Sequence, residues 1–120
     1  MKIKRAKGDK ARCDELFSKI IRSPGRCLRC GSTQYLQCAH IISRRYSATR
    51  CDPRNAWCLC ATCHHRLTLW PREHSRFITE TIGSEVYDDL QRKAETVTKM
   101  DWSEEKLRLQ ELLDLTLENI

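Results

Sequence analysis

The sequence lacks any apolar run approaching the roughly 18 residues that a membrane-spanning helix needs. Its basic start, MKIKRAKGDK, has no apolar segment behind it, so we expect no secretory signal. It also contains no internal repeat and no low-complexity segment. These absences argue against a membrane protein, a secreted protein and a repeat protein, and we expect a cytoplasmic chain.

Acidic residues are scarce in the first part of the chain. Residues 1–72 carry 16 Lys and Arg against 4 Asp and Glu, a net charge of +12, whereas residues 73–120 carry 6 against 12, a net charge of −6. A basic block followed by an acidic tail predicts a polyanionic partner, nucleic acid, for the first block alone. The charge distribution leaves one alternative open, which is that the basic block only increases the solubility of the protein.

Eight cysteines are many for a chain of 120 residues. Thiols stay reduced in the cytoplasm, which favours metal binding over disulfides. Four of these cysteines form two Cys-x-x-Cys pairs, Cys27/Cys30 and Cys60/Cys63. Two thiolates at this spacing grip one tetrahedral ion while the backbone turns between them, and Gly31 tolerates the tight turn after the first pair. The pairs therefore predict a structural Zn²⁺ site.

The length predicts one domain. We expect a basic arm over residues 1–8 and a domain over 9–120, made of a core at 25–70 and a helical extension at 71–120. The first helix is predicted over 9–22, with Asp9 as its cap and a stop at Ser23-Pro24-Gly25. Its apolar stripe comprises Cys13, Leu16, Phe17, Ile20 and Ile21. The cysteines outside the pairs are expected to fill the core, with a replacement zinc ligand as the alternative for Cys58; they are Cys13, Cys38, Cys51 and Cys58.

Between the cysteine pairs the pattern predicts a hairpin. An apolar strand is expected within 35–42, a polar loop over 43–54 and a second strand over 55–59, followed by a helix after Cys60. We expect Trp57 and Trp70 to be core residues and His74 to lie at the surface.

The tail has the pattern of amphipathic helices. Pro71 suits a first helical position, Gly83 breaks the run, and Ser103 is expected to start the last helix. The apolar face of that helix comprises Leu109, Leu112, Leu113, Leu117 and Ile120. We expect these helices to cover the zinc core of a monomer, and a homodimer seam is the alternative.

Three polar residues in the stretch from Cys27 to His65 have side chains suited to phosphodiester hydrolysis. This reaction needs an activated water, charge neutralisation on the phosphate and help for the leaving oxygen. An imidazole accepts a proton from water near neutral pH. The block offers His40 on the first strand, Asn55 at the start of the second, and His64 directly after a zinc ligand.

The ordered set of His, Asn and His, with Cys-x-x-Cys pairs before and within it, resembles the HNH endonucleases of the ββα-metal type. The resemblance implies a zinc-stapled ββα core flanked by an N-terminal helix and C-terminal helices, within a small α+β fold. It implies that His40 is the general base, that Asn55 fixes the loop and orients the hairpin or the base, and that His64 holds a catalytic Mg²⁺ or Mn²⁺.

The chain is also similar, over roughly residues 25–117, to the NinG (Rap) recombination nucleases of lambdoid phages. The shared features include the small residue before His40, the Ile82-Gly83 break and the aromatic start of the last helix at Trp102-Ser103. This similarity implies a phage or prophage nuclease in the host cytoplasm that acts on branched or distorted DNA.

The chain departs from the HNH pattern at Ala39, where many members carry an Asp or His as a second metal ligand. The catalytic ion would then rest on His64 together with Cys38, Asp52, His65 or water, and on the DNA phosphate. So few protein ligands fit Mg²⁺ or Mn²⁺ better than a tightly bound Zn²⁺.

Several basic residues are expected to contact DNA phosphates with little sequence reading: Arg44, Arg45, Arg50, Arg54 and Arg66. One alternative is a non-catalytic zinc protein that binds DNA or assists its packaging, which Ala39 favours. Another is a structural zinc module that binds a protein partner through its acidic helices.

Overall fold

A computed structural model describes residues 8–97 and 99–118. The small α+β fold expected from the sequence is confirmed. In chain order the elements are α1 (Asp9–Arg22), β1 (Leu36–His40), α2 (Ser47–Arg50), a 3-10 turn (Pro53–Asn55), β2 (Ala56–Cys60), α3 (Ala61–Leu69), α4 (Pro71–Ala94) and α5 (Trp102–Glu118). The predicted order of strand, loop, strand and helix between the cysteine pairs is confirmed. The basic arm predicted over 1–8 lies outside the described residues, apart from Gly8.

The two strands form an antiparallel hairpin in which Ala39 lies opposite Trp57 and His40 lies opposite Ala56. Side chains alternate between the two faces of a strand. Cys38 packs against the apolar cluster between α1 and α5, whereas Ala39 belongs to the cluster that includes α3 and α4. The hairpin therefore separates two cores, and consecutive residues of β1 point toward different ones.

The first core lies between α1 and α5. The stripe predicted on α1 is confirmed, because Cys13, Leu16 and Phe17 are fully buried against Leu109 and Leu113 of α5. The predicted cap of α1 is wrong. Gly8 occupies the N-cap position, and Asp9 lies in the first turn, where its carboxylate accepts a hydrogen bond from Lys106 at 2.8 Å.

The second core joins α3 and α4 to the first cysteine pair. Trp57 is buried as predicted, and its ring centroid lies 4.8 Å from that of Phe77 on α4. Trp70 lies at the corner between α3 and α4 and is 55% exposed, so the expectation of a core residue there is wrong. The break at Gly83 is confirmed, because its φ of 84° and ψ of 158° interrupt α4.

The start of α5 differs from the prediction. The side chain of Asp101 accepts hydrogen bonds from the backbone N–H groups of Ser103 and Glu104, so Asp101 is the capping residue. Leu117 is exposed although the apolar pattern places it on the buried face, and Ile120 lies outside the described residues. None of the described helices combines the length and the apolarity that crossing a bilayer requires.

Candidate metal centre and active site

The two Cys-x-x-Cys pairs meet in one place. The Sγ atoms of Cys27, Cys30, Cys60 and Cys63 all lie within 4.8 Å of one another. A tetrahedral Zn²⁺ with Zn–S bonds of about 2.3 Å places its sulfurs roughly 3.8 Å apart, and the Cys30 and Cys60 sulfurs are 3.7 Å apart. The donor set and its size therefore fit a structural zinc ion, which would tie the segment after α1 to the junction of β2 and α3.

Two arginines and one carboxylate surround the cysteine cluster. Nη1 of Arg29 donates to the Cys63 sulfur at 3.4 Å, which offsets part of the negative charge that four thiolates carry. Glu73 of α4 accepts hydrogen bonds from Arg29 and from Arg66 of α3. Burial raises the pKa of the Cys63 thiol despite the Arg29 contact, and a bound cation would favour its thiolate form.

His40 is the last residue of β1 and points toward α1. Its Nε2 atom lies 2.9 Å from the carbonyl oxygen of Arg50, and its ring centroid lies 5.5 Å from that of Phe17. A carbonyl only accepts, so the Nε2 atom carries the proton and the Nδ1 atom keeps its lone pair. Burial lowers the pKa of His40 and outweighs the opposing effect of the hydrogen bond to the Arg50 carbonyl, while the charges of Arg44 and Arg50 add to the lowering, so the neutral imidazole is favoured.

Asn55 is fully buried and ends the 3-10 turn directly before β2, so the strand begins one residue later than predicted. Its Oδ1 atom accepts from the backbone N–H of Ile42 at 2.8 Å, and its Nδ2 atom donates to the carbonyls of Ile42 and Thr49, both at 3.0 Å. One side chain thus satisfies three backbone groups of the segment between the strands. That segment includes α2, which supplies the carbonyl that holds His40.

His64 lies on the first turn of α3, directly after a cysteine of the cluster. Its Nδ1 atom is 2.6 Å from Oε1 of Gln37 on β1. Burial lowers the pKa of His64. An open cleft beside it is lined by Gln37, Ala61, Thr62, His64, His65 and Thr68. His74 of α4, expected at the surface, is half-buried near this end of the second core, with its ring 6.4 Å from Trp57.

The hairpin keeps the two predicted catalytic imidazoles on different faces. His40 shares the face of Cys38 toward α1, whereas Gln37 and Ala39 share the face toward α3 and His64. The cleft beside His64 does not include His40. Among the described residues β1 pairs with β2 alone, so its other edge, which lies between these faces, is unpaired.

The structure does not gather a complete set of protein ligands around His64. In residues 8–97 and 99–118, the cysteine cluster is the one group of three or more His, Cys, Asp or Glu side chains close enough to share an ion. Cys38 lies on the other face of β1, and Asp52 is engaged by Arg54 and Lys93. Of the alternative ligands, His65 alone lines the same cleft.

The arginines expected to contact phosphates lie in two environments. Arg44 and Arg45 are exposed and form no ion pair within the described part of the chain. The other three bind carboxylates of this chain: Arg50 binds Asp14, Arg54 binds Asp52 and Asp89, and Arg66 binds Glu73. Arg44 and Arg45 are therefore the two of the five that are free to bind an external anion.

Three further residues were not anticipated from the sequence: Gln37 beside His64, Glu73 beside the cysteine cluster, and Asp14 on Arg50. The period of two along β1 places Gln37 on the face of Ala39, and this is the one signal that pointed to it.

No family model, curated protein or solved structure matches this chain.

Proposed function

We propose that the protein is a metal-dependent endonuclease of the HNH type that hydrolyses DNA phosphodiester bonds with little sequence specificity. The observation that carries this proposal is the fixed tautomer of His40. Its Nε2 atom donates to the Arg50 carbonyl, so its Nδ1 atom is a base with a set orientation. A lowered pKa keeps that base neutral at the pH of the cytoplasm.

His64 supplies the second part of the mechanism. Its Nδ1 atom faces the Gln37 oxygen, which leaves the Nε2 lone pair to hold Mg²⁺ or Mn²⁺. When bound, such an ion stabilises negative charge on the phosphate and on the leaving oxygen. His40 accepts the proton of the attacking water. Arg44 and Arg45 neutralise neighbouring phosphates from the loop after β1.

The DNA strand runs along the free edge of β1 in this proposal. In this arrangement the phosphate would lie between His40 on one face of the hairpin and His64 on the other. The preferred substrate is branched or distorted DNA of a phage or prophage, as the similarity to the NinG nucleases implies. Cleavage of a four-way junction against a matched duplex tests this preference.

Plasmid nicking with Mg²⁺ or Mn²⁺ tests the activity itself. The wild-type protein is expected to nick supercoiled DNA, and His40→Ala and His64→Ala are each expected to lower the rate at least about 100-fold. His65→Ala is the matched comparison, because it removes the exposed imidazole next to His64. Full activity of His40→Ala contradicts the assignment of the base. Full activity of His64→Ala together with a loss for His65→Ala contradicts the choice of His64.

The second candidate function is a non-catalytic zinc protein that binds DNA or assists its packaging. It is favoured by Ala39, which is buried and offers no ligand, and by the separation of His40 from the His64 cleft. This candidate predicts a DNA gel shift that weakens steeply with salt and no divalent-dependent nicking.

A further inference from the structure

Asp14 and Arg50 form a two-pronged ion pair between α1 and α2. Nε of Arg50 donates to Oδ1 of Asp14 at 2.8 Å, and Nη2 donates to Oδ2 at 2.6 Å. The Nη1 atom of the same guanidinium donates to the carbonyl of Arg44 at 2.9 Å. The side chains are 15% and 25% exposed, so water screens this pair less than a surface pair. All three guanidinium nitrogens are thus engaged within the chain.

The backbone of Arg50 is the partner of His40. Its carbonyl lies 2.9 Å from Nε2 of His40, and this contact sets which nitrogen of the ring is basic. The position of that carbonyl depends on α2, which is a single turn of four residues and is too short to be stable alone. External contacts must therefore hold α2 in place.

Among the contacts of α2, two side-chain contacts reach its last two residues from opposite sides. Asn55 donates to the carbonyl of Thr49 from the hairpin side. Asp14 grips the side chain of Arg50 from the α1 side. The carbonyls of Thr49 and Arg50 are adjacent along the chain. The Asn55 hydrogen bond and the Asp14 ion pair therefore both limit the movement of the Arg50 carbonyl, which orients His40.

We propose that Asp14 and Arg50 are positioning residues for His40, in which the ion pair fixes the carbonyl that orients the imidazole. This inference rests on the proposed function, since it assigns the pair to the base of that reaction. It replaces the expectation that Arg50 contacts a phosphate. A phosphate would have to displace Asp14 and free the carbonyl of Arg44, while Arg44 and Arg45 are already exposed to solvent.

Kinetics of Asp14→Asn and Arg50→Lys distinguish positioning from DNA binding. Both variants disrupt the pair of hydrogen bonds between the Arg50 guanidinium and the Asp14 carboxylate, and Arg50→Lys retains the positive charge. We expect kcat for nicking to fall about 10-fold to 100-fold in each, as for other groups that orient a catalytic side chain, with KM for DNA within about twofold of wild type. The double variant is expected to lose no more than either single variant, because both act through one contact.

Glu15→Gln is the matched control. It removes a carboxylate from the next position of α1, where Glu15 forms an exposed pair with Arg12. Its kcat is expected to equal that of wild type. Zinc content and far-ultraviolet circular dichroism show whether each variant is folded. If Asp14→Asn does not fold, the kinetics of Arg50→Lys alone test the positioning role.

Nitrogen-15 spectra of labelled histidine provide a readout that does not need activity. The chain has four histidines, and the His40 signals are assigned by their loss in His40→Ala. We expect one tautomer with the proton on Nε2 in wild type and a mixture of tautomers in Asp14→Asn and Arg50→Lys.

Unchanged kcat together with an unchanged His40 spectrum in the folded variants overturns the proposal. A rise in KM and a smaller salt dependence for Arg50→Lys alone, at constant kcat, also overturns it in favour of a phosphate contact. If wild type does not nick DNA, the proposed function fails, and the spectra still decide whether the pair orients His40.

Discussion

The Nδ1 atom of His64 lies 2.6 Å from the Oε1 atom of Gln37, so α3 and β1 are joined at the residue expected to hold the catalytic ion. The amide oxygen only accepts, and it therefore selects the tautomer of His64 whose Nε2 atom is free. Partners of this kind fix the orientation of metal-binding imidazoles and raise the affinity of the site.

Gln37→Leu is expected to weaken Mn²⁺ activation of nicking by about 10-fold to 100-fold, because the variant keeps a side chain of similar size without the acceptor. The measurement is the Mn²⁺ concentration for half-maximal nicking at saturating DNA. Gln37→Glu retains an acceptor and should stay closer to wild type, and Gln34→Leu in the preceding loop is the control. An unchanged Mn²⁺ requirement in Gln37→Leu would show that this contact has no part in metal binding.

Cys60→Ser is expected to lose the structural zinc and to unfold the hairpin, because Cys60 joins β2 to α3 and belongs to the same cluster of candidate zinc ligands as Cys27. Zinc per chain and the circular dichroism spectrum report both effects. Cys38→Ala is the control, since Cys38 packs against the core between α1 and α5 and lies outside the four-cysteine cluster. A full zinc equivalent in folded Cys60→Ser would contradict the four-cysteine site.

The pH dependence of nicking should follow His40. Burial lowers the pKa of this imidazole below its usual value of 6.5. The neutral form is the base, so the rate stays at its plateau at pH 7 and falls only as the pH drops through a value below 6.5. The residual activity of His40→Ala is expected to lack this acid limb. A half-maximal rate clearly above pH 6.5 would exclude His40 as the group that titrates.

Asp52→Asn is expected to lower the free energy of unfolding at pH 7 by about 2 kcal/mol. Burial opposes ionisation of Asp52, but hydrogen bonds from Arg54 and Lys93 outweigh it and lower its pKa from 3.8 to about 2. The stabilisation is therefore complete above about pH 4 and is lost as the pH falls toward 2. Urea unfolding at pH 7 and at pH 2.5 measures the difference, with the exposed Asp88→Asn as control. Equal effects at both pH values would count against this ion-pair network.

Local patterns explain why much of the fold was predictable. The stripe on α1, the start of α4 at Pro71 and the break at Gly83 each depend on residues within a few positions of one another. The cysteine cluster was also predictable, because one ion needs both Cys-x-x-Cys pairs at the same point. The errors at Asp9 and Ser103 arose because Gly8 and Asp101, one and two positions earlier, are also residue types that occupy N-cap positions.

The contacts that surround the candidate site were not predictable in the same way. Asp14 and Arg50 are 36 positions apart, and Gln37 and His64 are 27 positions apart. Such polar pairs have no period and no motif, and they form only when packing brings the elements together. Trp70 is an error of the opposite kind, because its apolar ring predicted a buried residue. It lies at the corner between α3 and α4 and remains exposed.

The break at Gly83 divides α4 into two halves that bind different parts of the molecule. The first half carries Glu73, which binds Arg29 beside the cysteine cluster, and the second half carries Lys93, which donates to Asp52 at 2.8 Å. Each residue added to a helix rotates all later residues of that helix by about 100° around its axis. One inserted or deleted residue in either half would therefore rotate Glu73 or Lys93 away from its partner. Length variation in this chain is accordingly expected outside the stretch from Glu73 to Lys93.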